Sequence, residues 1–206
     1  LPIWANTPAA DGIGLQDHYI NMWIHVAERF SGHPALIGYD FLNEPYPGSS
    51  GQFIFANLLG TFAELIKSQG GPAMALEEML TVFADPEEKF KALGYLENRA
   101  FYESLAKAIE PLVAEFDLGD LDRFYRRISQ AVRAVDSAGI IFRENSYFSN
   151  MGIECQAQPI QDESGQRIVN QAYSPHGYDL VVDSEAIVLP IQKHLQRRLF
   201  CHISII

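Results

Sequence analysis

At 206 residues, with 48% hydrophobic and 20% charged residues, the chain has the composition of a folded globular protein and the length for one domain with a substantial core. Fifteen Lys and Arg against 26 Asp and Glu give a formal charge of -11, which argues against the basic face that nucleic acid or an anionic membrane requires and suits a neutral ligand such as a sugar. There is no run of about eighteen apolar residues, so no integral membrane segment is expected. Cys155 and Cys201 lack CxxC spacing and read as free thiols, not as a zinc site or a disulfide framework.

The opening LPIWANTPAADG has neither an initiator Met nor the blocks of a signal peptide, and the closing RRLFCHISII is an uncapped apolar run. Both ends are expected to be cuts in a longer chain. From Leu15 to Phe30, Tyr19, Trp23, Val26, Ala27 and Phe30 keep helical spacing, and Ser31-Gly32 followed by Pro34 stops the helix. Ala35 to Asn43 (ALIGYDFLN) is short and mostly apolar, as expected of a strand buried on both sides in a parallel sheet.

From about Gly48 to Gly119 the chain is rich in Ala, Leu, Glu and Lys and helical in pattern, broken at Gly70 to Pro72 and at Asp85-Pro86. It is expected to be an inserted helical subdomain. Between Asp120 and Ser137, Leu121, Phe124, Ile128, Val132 and Val135 mark another amphipathic helix, closed by Gly139 and followed by the strand-like residues 140 to 142. A third strand is expected at 168 to 174, and a helix from about Asp183 to Arg197 that Pro190 interrupts.

Repeated helix and strand alternation points to an α/β fold with parallel strands, either an open doubly wound sheet or a closed eightfold TIM barrel. With neither GxGxxG nor GxxxxGK[ST] in the sequence, the barrel is favoured. A whole barrel needs about 250 residues, and three of its eight strands are found here, so a partial barrel within one domain over residues 1–206 is expected.

Catalytic groups of a barrel project from the carboxyl ends of its strands. The three ends here carry Asn43-Glu44-Pro45, Glu144-Asn145 and His176-Gly177-Tyr178. Glycoside hydrolysis needs one carboxylic acid to protonate the leaving oxygen and a second carboxylate on the opposite face of the sugar. Glu44 suits the first role, and Asn43 stands where it can bond the sugar 2-hydroxyl. His176 and Tyr178, two residues apart, are expected on one side, bonding either the sugar or the catalytic carboxylates.

GYDFLNEP resembles the fourth-strand signature of the cellulase-like family five glycoside hydrolases. WIHVAERFSGHPALIGYDFLNEP resembles the helix and strand of that family, and SPHGY its sixth-strand His-x-Tyr element. LPIWA and FRENSYFSNMGI are similar to segments of its endoglycoceramidase-like branch. The resemblance implies a retaining barrel from about the end of strand three to helix six, acting on a carbohydrate or glycoconjugate, with no cofactor and no metal. It implies Glu44 as acid/base, Asn43 as the 2-hydroxyl partner, and His176 and Tyr178 as site residues. It also implies a secreted enzyme, and leaves the oligomeric state open.

The family's nucleophile, a Glu ending strand seven, has no counterpart after Tyr178, and Glu185 comes too early to be it. The chain by itself is therefore expected to be inactive. The alternatives are a sugar-binding or interaction module built around the helical insertion, or an inactive truncated product.

Several residues have simpler readings. A lone Glu at a strand end is usually solvated or caps a helix, and it is the surrounding match that singles out Glu44. Glu144 either lines the sugar cleft or pairs with Arg143 or another neighbour. His18 and His25 lie seven apart on one helix, where metal pairs prefer three or four, and are expected at the surface or core edge. Trp23 falls on the buried stripe, which leaves Trp4 as the candidate for stacking on sugar.

Overall fold

The computed structural model describes residues 3–177. Over these the chain divides into two compact units, one holding residues up to Ser49 with Ala114–Tyr147 and Cys155–His176, the other Ser50–Val113 with Phe148–Glu154. The expected helix near Asp183 to Arg197, Tyr178, Glu185 and Cys201 lie outside the described residues.

In the first unit, helix α1 spans Leu15–Phe30. Its first N–H groups have no partners within the helix, and Asn6 Oδ1 accepts those of Gln16 and Asp17 at 2.9 and 3.3 Å. Gly32, with φ 75°, turns the chain after the last helical turn. Strand β1 follows as Gly38–Asp40. A second helix–strand step comes from α6, Asp122–Arg133, and β2, Ile140–Arg143, and the sheet is completed by β3, Gln171–Tyr173.

The three strands are parallel, in the order β1-β2-β3, with Tyr39 opposite Ile141 and Phe142 opposite Ala172. A Cβ on Gly38 would stand 1.9 Å from the carbonyl oxygen of Ile140, so glycine is what lets β1 approach β2 there. Among the described residues the apolar packing lies on one face of the sheet. Tyr39, Phe41 and Ile141 are buried in a cluster with Ile20 and Ala27 of α1 and Phe124, Tyr125, Ile128 and Val132 of α6. On the other face Asp40 is exposed, and Phe142 and Ala172 are half-buried.

This corrects the expected strand from Ala35 to Asn43, buried on both sides. Leu36 N–H bonds His33 O in a turn after the helix, which delays the strand to Gly38. Beyond Asp40 the backbone leaves the ladder. The third strand is likewise shorter than 168 to 174, because Ile168 pairs back to Ile160 in a small antiparallel hairpin closed around Asp162.

Helices α2 (Ser49–Ser68), α3 (Leu76–Ala84), α4 (Pro86–Leu93) and α5 (Arg99–Phe116) follow one another, and from Ser50 to Val113 they belong to the second unit. The breaks fall at Gly70 to Pro72 and at Asp85-Pro86, as the sequence indicates. Asp85 Oδ1 accepts the N–H groups of Glu87 and Glu88, and Pro86 takes the first helical position, where a missing N–H costs nothing. Leu59, Phe62, Ile66, Met79, Leu96 and Phe101 form its core. A π-helical turn, Asp117–Leu121, carries α5 into α6.

Candidate active site

The polar residues that end the three parallel strands meet on one another. Glu44 lies four residues beyond β1 and has φ 50°. The other non-glycine residues with positive φ among the described ones are Asn6 and Asn170, whose side chains tolerate that region, whereas a Glu there is strained by about 1–3 kcal/mol. Such strain persists only where the surroundings hold it. Here the Glu44 N–H donates to Glu144 Oε2 at 2.5 Å, and Tyr147 N–H donates to Pro45 O at 3.0 Å.

Glu144, directly after β2, is 1% exposed. Its own N–H donates to the Tyr125 hydroxyl of α6 at 3.0 Å, which ties the end of β2 to the helix layer. His176, three residues after β3, stands between the two glutamates, with Nδ1 3.0 Å from Glu44 Oε1 and Nε2 3.0 Å from Glu144 Oε1. Its backbone N–H donates to Asn145 Oδ1 at 3.3 Å. Both ring nitrogens can donate at once only in the imidazolium form.

The electrostatics favour that form. Partial burial pulls the His176 pKa down, but its bond to Glu44 and the charges of Glu144 and Glu44 outweigh this and hold it above the ordinary imidazole value. Burial pushes Glu144 up, opposed by the Glu44 N–H and assisted by the charge of Asp40. The Asp40 carboxyl is also raised, first by desolvation although the residue as a whole is exposed, against the lowering influence of the neighbouring Glu144 carboxyl, the Leu42 N–H and the His176 charge. A carboxyl, an imidazole and two further carboxyls in series can hold and exchange protons beside an open sheet face.

The remaining residues named from the sequence lie as follows. Asn43 is exposed on the turn before Glu44. Glu144 does not pair with Arg143, which is buried on the other face, donates to Asp122 at 3.0 Å and to Gln158 O at 2.6 Å, and lies over the Tyr125 ring. Trp4 is half-buried, edge-to-face with Phe116 and Phe124, and its indole N–H donates to Tyr46 O at 3.0 Å. Those contacts give it a packing position. Trp23 packs on Tyr39 and Phe41, and His18 and His25 sit at the surface beside Asp11 and Glu28.

Neither a protein-family model nor a curated protein sequence matches the chain. Solved structures do. The chain is similar to endo-glycoceramidase II from Rhodococcus sp., at 18% identity and a TM-score of 0.53, over 98% of this chain and 31% of that one. The ganglioside GM3 complex of the same protein matches at 19% identity and a TM-score of 0.51, over 98% of this chain and 32% of that one. The chain thus spans about a third of the length of these structures. At such identity the likeness is one of fold, a mixed α/β arrangement around a small parallel sheet.

Among the described residues, no group of three or more His, Cys, Asp and Glu is arranged to hold a metal ion, and no helix is long and apolar enough to cross a membrane. Asp40 and Tyr125 join the site without having been singled out in the sequence, and Asn145, named there beside Glu144 at the end of the second strand, bonds the His176 N–H. For Asp40 there was a signal, a carboxylate inside the apolar run ALIGYDFLN. For Tyr125 there was none, because it looks like one more apolar residue of α6.

Proposed function

We propose that the chain carries the acid/base half of a glycoside hydrolase site, with Glu44 as proton donor. The observation that carries this is the strained Glu44 at the end of β1, held between His176 and Glu144 from the ends of the neighbouring strands. In this reading the three strands are consecutive strands of a partial (β/α)8 barrel, and the helices from about Gly48 to Gly119 are an insertion into it. The fold likeness to endo-glycoceramidase II supports the barrel, and the ganglioside GM3 bound by that protein suggests a glycolipid or β-glycan substrate.

The chemistry follows the retaining scheme. With Oε1 engaged by His176, Glu44 delivers the proton from Oε2 to the glycosidic oxygen as the bond to the anomeric carbon breaks, and in the second step takes a proton from water. Asn43 bonds the sugar 2-hydroxyl, a contact that strengthens as positive charge develops. Tyr178, two residues after His176 in the sequence, is a further sugar-binding hydroxyl in this reading. The nucleophile, about 5–5.5 Å from the acid in retaining enzymes, is not assigned to any residue of this chain.

The test therefore reads the acid and not turnover. An epoxyalkyl β-lactoside places its epoxide where the leaving oxygen would lie, so the Glu44 carboxylate opens the ring, forming an ester as the alkoxide takes a proton from solvent. Mass spectrometry is expected to find the ester on Glu44, with free lactose protecting it. Labelling spread over surface carboxylates, or labelling that lactose does not slow, would sink the proposal.

A further inference from the structure

Past the end of the sheet, the segments that follow β1 and β2 stay side by side. The Glu44 N–H bonds Glu144 Oε2 at 2.5 Å, and one residue on, the Pro45 O accepts the Tyr147 N–H at 3.0 Å. The next contact is between rings. Tyr46 and Tyr147 meet edge to face, with centroids 5.7 Å apart and planes at 65°. Tyr46 lies between the buried Pro45 and Pro47, and Tyr147 follows four buried residues, Arg143 to Ser146, yet the two tyrosines are 38% and 37% exposed. A lone exposed aromatic is ordinary, whereas two in ring contact, tied to a cluster of carboxyls and an imidazole, have the make-up of a ligand site.

We propose that Tyr46 and Tyr147 form a stacking platform for a pyranose ring of a β-linked sugar. The inference rests on this end of the sheet being a sugar site, but not on Glu44 being its acid. In a β-linked ring whose hydroxyls are all equatorial, the axial C–H bonds at positions 1, 3 and 5 make one apolar face and those at 2 and 4 the other. Such a face suits the flat, weakly negative surface of a tyrosine ring, and the phenolic hydroxyl at its edge can bond the hydroxyls around the sugar's rim. With a formal charge of -11 on the chain, a neutral ring is also the ligand that its electrostatics favour.

The platform is held through its backbone. Trp4, packed on Phe116 and Phe124, donates its indole N–H to the Tyr46 O at 3.0 Å, as the Tyr147 N–H does to the Pro45 O. Prolines on both sides of Tyr46 fix φ there. None of these supports uses a phenol ring, so a ring can be exchanged without removing them. A platform ordered before its ligand arrives also loses little entropy on binding. Trp4, expected from the sequence to stack on sugar, thus supports a residue that does.

The experiment is saturation-transfer NMR of the chain with methyl β-cellobioside, with the affinity taken from a titration of the same probe. Saturation is expected to concentrate on one alternate set of protons of a glucose ring, either H1, H3 and H5 or H2 and H4. Tyr46→Ala and Tyr147→Ala should each weaken binding about five- to tenfold, and Tyr46→Trp, which keeps a flat face, should stay within about twofold of the wild type. A merely structural role would give no face-selective pattern. No transfer to the probe, saturation spread evenly over both faces, or binding that either Ala variant leaves unchanged would overturn the inference. The pattern is read on the wild type, so it stands even if a variant does not fold. Failure of epoxide labelling with this pattern intact would count against the acid at Glu44 and not against the platform. Labelling of Glu44 that lactose protects, with binding unchanged in both Ala variants, would count against the platform alone.

Discussion

The backbone N–H of Glu44 donates to the carboxylate of Glu144, 100 residues away in the sequence, at 2.5 Å. The turn after β1 is thus held by the end of β2, and the same glutamate holds His176 from the end of β3. Replacing Glu144 by Ala removes the acceptor for both. Stability is expected to fall by about 1–3 kcal/mol in urea denaturation, the cost of leaving such donors unsatisfied. In Glu144→Gln the charge is lost but the volume is kept, and the His176 pKa is expected to drop towards its ordinary value. An unchanged imidazole titration would show that Glu144 contributes no charge to it.

The left-handed conformation of Glu44 gives a test that separates backbone from side chain. Both Glu44→Ala and Glu44→Gly lose the bond to His176, so their difference reports the strain. At an ordinary position Gly is less stable than Ala, because it has more freedom to lose on folding. At φ 50° the order should reverse, with Glu44→Gly the more stable by about 1 kcal/mol in thermal or urea unfolding. The usual order, Ala above Gly, would mean that the turn relaxes once the side chain is gone.

Much of this arrangement was legible in the sequence, and the limits have physical causes. Helix α1 has a one-sided apolar stripe and a Ser-Gly-x-Pro stop, both local signals, and it forms where they indicate. The strands were placed but drawn too long, because where a ladder ends depends on turns such as those at His33 and Ile160 that form only in the folded chain. Glu44, Glu144 and His176 were visible as polar residues closing apolar runs. Their mutual distances were not, since three segments more than thirty residues apart must first be brought together by strand pairing. Trp4 illustrates the converse, a large aromatic with a polar edge that suits a cleft or a core edge equally well until its neighbours Phe116 and Phe124 are known.

The site should also make stability depend on pH. His176 has a raised folded-state pKa, so its contribution is complete below the unfolded value of about 6.5 and is lost as pH rises through the folded value. Asp40 and Glu144 are raised as well. For carboxyls this means that the folded state binds more protons than the unfolded one, so their ionisation costs stability as pH rises above about 4. Both effects have the same sign. The unfolding free energy attributable to this cluster is expected to fall from weakly acid to alkaline pH, and His176→Ala should flatten the part of the slope above about pH 6.5. A slope identical in wild type and His176→Ala would exclude the imidazole as its source.

Behind the site, Arg143, the residue before Glu144, is turned to the opposite face of β2. It is 3% exposed, donates to Asp122 Oδ1 at 3.0 Å, and is stacked over Tyr125 with its guanidinium carbon 5.2 Å from the ring centroid. Asp122 also accepts from Arg126 Nε at 2.5 Å, so one carboxylate of α6 serves a buried and a half-exposed arginine. Removing one partner of a buried ion pair leaves a charge that nothing offsets, and Asp122→Ala is expected to cost about 3–5 kcal/mol in urea denaturation. The double variant Asp122→Leu with Arg143→Met removes both charges and keeps the volume, and should recover most of that loss. If instead the double variant is as unstable as Asp122→Ala, the damage comes from Arg126 or from the Asp122 end of α6, and Arg143 is not the residue that needs the pair.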